Sequence, residues 1–244
     1  MVMNQKPIVI IPARFGSKRL PGKPLALIGG KTMIQRVWEQ AMQIPGVEAV
    51  VVATDDEAIA KVIEKAGGYA FISDAEYETG TDRVADVARV VGENRLVLNV
   101  QGDLPFFAPQ IGTRLLQALK ERPEADMATP VKLMRGFPDQ FRDNNVVKVG
   151  FGADFRATHF VRPANPSLIS PEGHWYKHIG VYAYRNRALQ ALSSMDQTLD
   201  EKEHRLEQLR ALGNGMHIRC CPVVDDCGQE VNTPEDLKRA NDGC

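Results

Sequence analysis

An excess of either charge is missing from this chain: 30 lysines and arginines face 31 aspartates and glutamates over 244 residues, for a net charge of -1. Without an overall positive field there is nothing to hold a nucleic acid backbone, so any basic site has to be local. Long apolar runs are missing too. The start, MVMNQKPIVIIPARF, has only a short apolar stretch before proline and arginine, too short to span a membrane and without the small-residue cleavage site of a signal peptide. The expectation is a cytoplasmic protein with no membrane insertion and no nucleic-acid partner. Cysteine is scarce, at four residues. Cys220 and Cys221 are adjacent, and with Cys227 and Cys244 they match neither the paired spacing of a zinc site nor a small disulfide framework. They are expected to be reduced thiols. No internal repeat and no low-complexity linker divides the chain.

What is present is the balance of an ordinary globular protein, 43% hydrophobic and 25% charged. The length suits one large α/β domain, alone or with a small annex. Strands are expected at PIVIIP (7–12), VEAVVVAT (47–54), GYAFI (68–72) and RLVLNV (95–100), with helices from Thr32 to about Gln43, from about Asp56 to Ala66 and over Asp82 to Val91. Strands that are apolar almost throughout, separated by amphipathic helices, argue for a parallel sheet covered on both faces. Ligands of such sheets bind beyond the carboxyl ends of the strands, which points to the segments after Ile11, Ala53 and Val100. In the second half MATPVKLM (127–134), NVVKVG (145–150), ATHFVRP (157–163) and HIGVYAYR (178–185) read as strands of a mixed or antiparallel extension. A helix over about Glu201 to Leu212, a strand HIRCCPVV (217–224) and a last helix opened by Thr233-Pro234 follow.

The stretch IPARFGSKRLPGKPL (11–25) concentrates Arg14, Lys18, Arg19 and Lys23 directly after the first strand. It is not a Walker A loop: one residue too many separates Gly16 from Gly22, and Pro24 stands where the magnesium-binding hydroxyl is required. Nor does it fit G-x-G-x-x-G. Glycines that let the backbone approach a ligand, prolines that stiffen the loop, and four cations that complement phosphate make it a nucleotide clamp.

These residues, continued through IPARFGSKRLPGKPLALIGGKTMIQRV, resemble the opening of the sugar-activating cytidylyltransferases, most closely the 3-deoxy-manno-octulosonate (Kdo) cytidylyltransferase family. The resemblance recurs in order in VVATDDE (51–57), TGTDR (79–83), NVQGDLP (99–105), NNVVKV (144–149), YKHIGVYAYR (176–185), LEQLR (206–210) and VNTPEDL (231–237). It implies a mostly parallel, Rossmann-like nucleotidyltransferase sheet with helices on both faces, forming a single domain over 1–244 with a smaller acceptor and dimerisation extension at about 127–185. The implied reaction is attack by the anomeric hydroxyl of an acid sugar on the α-phosphorus of CTP, releasing pyrophosphate. Charge neutralisation and in-line positioning would do most of that work.

The resemblance makes Arg14, Ser17, Arg19 and Lys23 the triphosphate ligands, and Thr79, Gly80 and Arg83 the residues near the cytosine. Arg14, Lys23 and Asp103 would carry the chemistry. Asp103 would hold Mg2+, and Gln101, Arg162, His178, Tyr182, Glu207 and Gln208 would form the acid-sugar pocket. A homodimer is implied, with the Trp175-Tyr176 stretch able to supply apolar contact.

Three departures stand out. Asn232 replaces the family's second metal aspartate; its amide oxygen can coordinate Mg2+ but adds no charge, and Asp236 and Asp225 are the nearby substitutes. Leu104 stands for a glutamate, and Phe160-Val161-Arg162 for Phe-Ser-Arg. Because these cluster around the acceptor and the second metal, two alternatives to CMP transfer onto Kdo stay open: the same chemistry on another acidic acceptor, such as an amino-Kdo or a phosphonate, or a non-catalytic CTP-binding regulatory protein. A nucleotide other than CTP is a further alternative.

Overall fold

The computed structural model describes residues 5–17, 19–136, 139–224 and 230–244. Four parallel strands build the first half of the sheet: β1 (Ile8–Ala13), then, after the two-residue hairpin strands β2 (Leu27–Ile28) and β3 (Lys31–Thr32), β4 (Ala49–Thr54), β5 (Tyr69–Ile72) and β6 (Leu96–Asn99). Between them run α1 (Met33–Ala41), α2 (Glu57–Lys65) and α3 (Gly80–Arg89), and α4 (Pro109–Glu121) follows. The second half adds β7 (Met127–Arg135), α5 (Asp139–Arg142), β8 (Lys148–Phe151), β9 (Ala157–Val161), β10 (His174–His178) and β11 (Tyr182–Arg185). It closes with α6 (Asn186–Ser193), α7 (Leu199–His204), α8 (Gln208–Gly213), β12 (Ile218–Val223) and α9 (Pro234–Asp242).

The long strand β7 belongs to two sheets at once. Its first two residues, Met127 and Ala128, pair with β11, while Val131 to Arg135 pair with β10 along the same edge, and β12 covers the other edge from Met127 to Lys132. The main sheet therefore reads β5-β4-β1-β6-β11-β7-β12 with β11 its one antiparallel strand, and β10, β8 and β9 form an antiparallel extension on the far half of β7.

Both faces are covered, as the apolar strands require. Val9 and Ile11 enter one core cluster with α1, α2 and α4; Ile8 and Ile10 enter the other with α3, α6 and α8. The alternation follows from the two-residue period of a strand. Each fully buried aliphatic side chain contributes about 1.5–3 kcal/mol. In α3, Thr79 and Asp82 form a reciprocal capping box; Thr233 and Asp236 do the same for α9. This fixes where both helices start.

Two expected elements are broken. Of the strand expected over 178–185 only Tyr182–Arg185 forms β11; His178 is the last residue of β10, and the break at Ile179 to Val181 lets one edge of β7 serve two partners. The helix expected over 201–212 is α7 and α8, split where Arg205 takes a left-handed φ of 52°. Helix α4 has no counterpart in the sequence reading. Trp175 is fully buried, edge-on to Phe141 at 5.2 Å, so it belongs to the core and offers no surface contact. Cys220 and Cys221 are buried and in no disulfide, and burial pushes their thiols up to about 12 and about 11. Cys227, Lys18 and Asp225 lie outside the described residues.

Candidate active site

At the carboxyl end of β1 the chain turns into the basic loop, and at the end of β6 into the turn Gln101–Asp103. The two approach so closely that a Cβ on Gly102 would lie 2.8 Å from the Pro12 carbonyl oxygen, so only glycine fits there. Gly22, with φ at 64°, reverses the loop and brings Lys23 back over the turn. Lys23 Nζ donates to Asp103 Oδ2 at 2.8 Å and to Asn232 Oδ1 at 3.1 Å, and Arg19 donates to the same Asn232 oxygen at 3.1 Å. A cavity of about 500 Å³ opens over this group. Arg14, Ser17, Arg19 and Lys23 line one side, Thr79, Gly80 and Arg83 at the start of α3 another, and Gln101, Asp103, Glu207 and Asn232 are also in its wall.

Asp55, the residue after β4, links two of these walls. One carboxylate oxygen accepts from the Phe15 N–H in the basic loop at 3.0 Å, the other from Arg83 at 3.0 Å. Arg83 also lies over the Tyr77 ring, 4.8 Å from its centroid. Glu207 accepts from the Thr81 hydroxyl, and burial pushes its carboxyl up despite that hydrogen bond. Behind it the buried Arg210 donates to both oxygens of Glu201 at 2.7 and 2.8 Å.

A second cavity, about 1290 Å³, lies beside the first and shares Arg19 and Asn232 with it. Arg162, His178, Tyr182 and Gln208 line it, with the loop Asp143–Val147. The Arg162 guanidinium donates to the carbonyls of His204, Asn144 and Arg205 at 3.0, 3.3 and 3.4 Å. Five N–H groups are available on a guanidinium, so donors remain for a ligand. Lys148, fully buried, donates to the carbonyls of Asp143, Val146 and Arg162 at 2.7, 2.9 and 2.7 Å. Those three bonds fasten the loop to the Arg162 backbone. Tyr182 donates to Gln208 Oε1 at 3.2 Å, and the buried Gln208 Nε2 has no partner among the described residues.

His178 is buried, and burial first, then the Arg162 charge, push its pKa down to about 3. It is a neutral imidazole. The Thr129 hydroxyl, 3.0 Å from Nε2, also faces the carbonyls of Ile179 and Val181 at 3.2 and 2.9 Å. Carbonyls can only accept, so the network assigns the hydroxyl proton to them and the ring proton to Nε2.

Among the described residues no group of three or more His, Cys, Asp or Glu side chains gathers as a metal site. The junction of the two cavities nevertheless suits a hard divalent cation. Oxygens of Asp103 and Asn232 converge on one positive charge, the Lys23 ammonium, and such an ion commonly takes one or two carboxylates, with phosphate and water completing the shell. Asp236 is not available for it: one oxygen accepts from the Asn232 and Thr233 N–H groups and the other from Arg239. Glu230 is on hand, its Oε2 accepting from Asn232 Nδ2 at 3.1 Å. Protein crowding in the cleft and, after it, the Asp103 carboxylate push the Glu230 carboxyl up, although the residue keeps an exposed surface.

Every predicted site residue among the described ones thus lies on one of two adjoining cavities. Gln101 and Glu207, expected with the acceptor, line the first cavity and not the second. Leu104, 1% exposed, is anchored in the core. Asp55, Lys148 and Glu230 had no assigned role from sequence. The first two sit in blocks already quoted for their resemblance, VVATDDE and NNVVKV, and the third lies two residues before Asn232.

A parallel α/β sheet with a basic loop after its first strand and an acidic turn across from it defines a nucleotidyltransferase. The cytidylyltransferase family model matches residues 8–218, and the chain belongs to that family. Within it, the chain is a member of the Kdo cytidylyltransferase family: it is 38% identical to the 3-deoxy-manno-octulosonate cytidylyltransferase of Syntrophus aciditrophicus, over 98% of this chain and 97% of that one. It is 41% identical to the Methylorubrum populi enzyme of the same name, over 96% and 95%. The solved structure of a CMP:2-keto-3-deoxy-manno-octonic acid synthetase complexed with CTP superposes with a TM-score of 0.90 at 36% identity, covering 98% of both chains.

Proposed function

We propose that this protein transfers CMP from CTP to Kdo. The anomeric hydroxyl oxygen of Kdo bonds to the α-phosphorus, the bond from that phosphorus to the β-phosphate oxygen breaks, pyrophosphate leaves, and the hydroxyl proton passes to solvent. The observation that carries the reading is the pair of adjoining cavities sharing Arg19 and Asn232, one lined by the cationic loop and the other by Arg162 and His178. Membership of the Kdo cytidylyltransferase family supports the same substrates.

In this reading Arg14, Ser17, Arg19 and Lys23 take the triphosphate, and Thr79, Gly80 and Arg83 take the nucleoside end. The Lys23 ammonium leaves the Asp103 carboxylate for a phosphate oxygen, trading one anion for another. Arg162 takes the Kdo carboxylate with its remaining N–H groups, while Tyr182, Gln208 and His178 fix the sugar hydroxyls. Gln101 and Glu207, which line the first cavity, would meet the acceptor from the nucleotide side. Asp103 and Asn232 would hold Mg2+, which supplies charge neutralisation on the phosphates and lowers the pKa of the attacking hydroxyl. The chain works as one domain, with the antiparallel extension within 127–185 serving the acceptor and pairing two copies into a homodimer. No helix among the described residues is long and apolar enough to cross a membrane, and a cytoplasmic location fits the substrates.

The test is pyrophosphate release by the purified protein with CTP, Mg2+ and Kdo, beside the same mixture without acceptor. Rapid release that depends on Kdo is expected. UTP in place of CTP should support little of it. CTP binding without release under Kdo would end the Kdo reading and return the search to other acidic acceptors.

A further inference from the structure

Asn232 brings an uncharged amide to the junction of the two cavities, yet the segment that carries it is not short of a carboxylate. Val231 is fully buried in the small core cluster beneath the basic loop, and its N–H donates to the Asp103 carbonyl at 3.0 Å. Alternate side chains of an extended segment share a face. With Val231 turned inward, Glu230 and Asn232 both turn to the second cavity, which they line.

The hydrogen bonds at this point discriminate an amide from an acid. Asn232 Nδ2 donates to Glu230 Oε2 at 3.1 Å, while its Oδ1 accepts from Lys23 and Arg19 at 3.1 Å each. The carboxamide therefore stands between a carboxylate on one side and two cations on the other. An aspartate at 232 would have no donor for Glu230 and would set two negative charges against each other. The Asn232 amide and the Glu230 carboxylate are complementary as a pair, and Asp103 is tied by backbone to the residue between them.

We propose that Glu230 supplies the second carboxylate for the divalent cation that accompanies CTP, with Asn232 as the neutral member of the set. The charge absent at 232 is present at 230. This rests on the nucleotidyl-transfer reading above. The chemistry is that of a hard cation: two carboxylates, one amide oxygen, and phosphate oxygens from the nucleotide.

The experiment uses Mn2+ as the probe, its binding to the full chain followed by electron paramagnetic resonance with and without CTP. Thermal unfolding without metal serves as a check on folding. Wild type should bind Mn2+ in a CTP-dependent way. Glu230→Gln should weaken that binding by roughly tenfold or more, and Glu230→Asp, which keeps the charge, should weaken it less. The double variant Glu230→Gln/Asn232→Asp should regain most of the loss, because the carboxylate returns two residues on. Asn232→Asp alone should gain little.

Mn2+ binding by Glu230→Gln equal to wild type would overturn the proposal, as would a double variant that folds normally but stays as weak as the single one. A gain of about tenfold or more from Asn232→Asp alone would also overturn it, since the wild-type site would then be short of a carboxylate. CTP-dependent Mn2+ binding that is absent from wild type itself would remove the nucleotidyl-transfer reading as well, which separates the two failures.

Discussion

Two cations of the first cavity and two at the second, Arg162 and the Lys148 that anchors its loop, are held in opposite ways. On the nucleotide side they are paired with carboxylates: Lys23 with Asp103 at 2.8 Å and Arg83 with Asp55 at 3.0 Å. On the acceptor side Lys148 and Arg162 are held by backbone carbonyls, three each. A carboxylate partner can be exchanged for a phosphate at small net cost, because one anion replaces another. Carbonyl dipoles cannot leave; they fix the cation and leave its charge uncancelled. Under the proposed function, the first cavity would rearrange around a triphosphate, and the second would present the standing charge of Arg162 to one carboxylate.

The sharpest way to break this comparison is to remove the exchangeable pair. Lys23→Ala and Asp103→Asn should each lower kcat/KM for CTP by about 10²–10³, the usual loss when a preorganised charge at a phosphoryl centre is deleted. Neither should alter the melting temperature by more than a few degrees, since both groups are partly solvated. If either variant raised only the KM for Kdo, the assignment of the cavities would be reversed.

Next in size is Lys148→Met, aimed at the fixed side. Methionine fills the channel but leaves three carbonyls without their donor, each costing about 1–3 kcal/mol if it stays buried. A fall in melting temperature on the order of 10 °C should follow. The informative readout is kinetic: the KM for Kdo should rise while the KM for CTP stays put, because the loop Asp143–Val147 and Arg162 lose their common anchor. Equal changes in both would mean that Lys148 only holds up the fold.

The same contrast explains what could be read in advance. The parallel half was legible because its strands are buried on both faces, as in Ile8 to Ile11, and because its ligands lie just past strand ends, where Arg14 and Asp103 are. Helix α4 was not, although Ile111, Leu115 and Leu119 recur at a four-residue spacing, since Pro105 and Pro109 mark its start as a turn. The breaks at Ile179–Val181 and Arg205 were hidden because apolar alternation continues across the first and helix-forming residues across the second. Carbonyl cages leave no mark at all: nothing in NNVVKV says that its lysine is buried. Glu230 was legible only as one half of a pair with Asn232, once the inward turn of Val231 is known.

A smaller effect is expected at Asp55, which ties the basic loop to the nucleoside wall through Phe15 and Arg83. Asp55→Ala frees both, leaving each to be reordered by the nucleotide at binding. About 1 kcal/mol is a reasonable scale for one such partly exposed link, or roughly fivefold in the KM for CTP, with the KM for Kdo unchanged. A rise in both would show that the loop also shapes the acceptor cavity.

The smallest effect concerns pH and the standing charge of the acceptor cavity. His178 has a pKa of about 3 in the fold against an ordinary 6.5, so below pH 6.5 the unfolded chain takes up a proton that the folded chain refuses. Stability from this residue is complete above the unfolded value and is lost as pH falls, at up to about 1.4 kcal/mol per pH unit. Between pH 7.5 and 5 wild type should lose on the order of 2 kcal/mol more than His178→Gln, which cannot titrate. Denaturant unfolding of the two proteins at several pH values measures it. Parallel curves would mean that the imidazole takes up its proton in the fold beside Arg162, adding a charge that switches with pH to the fixed one of the guanidinium.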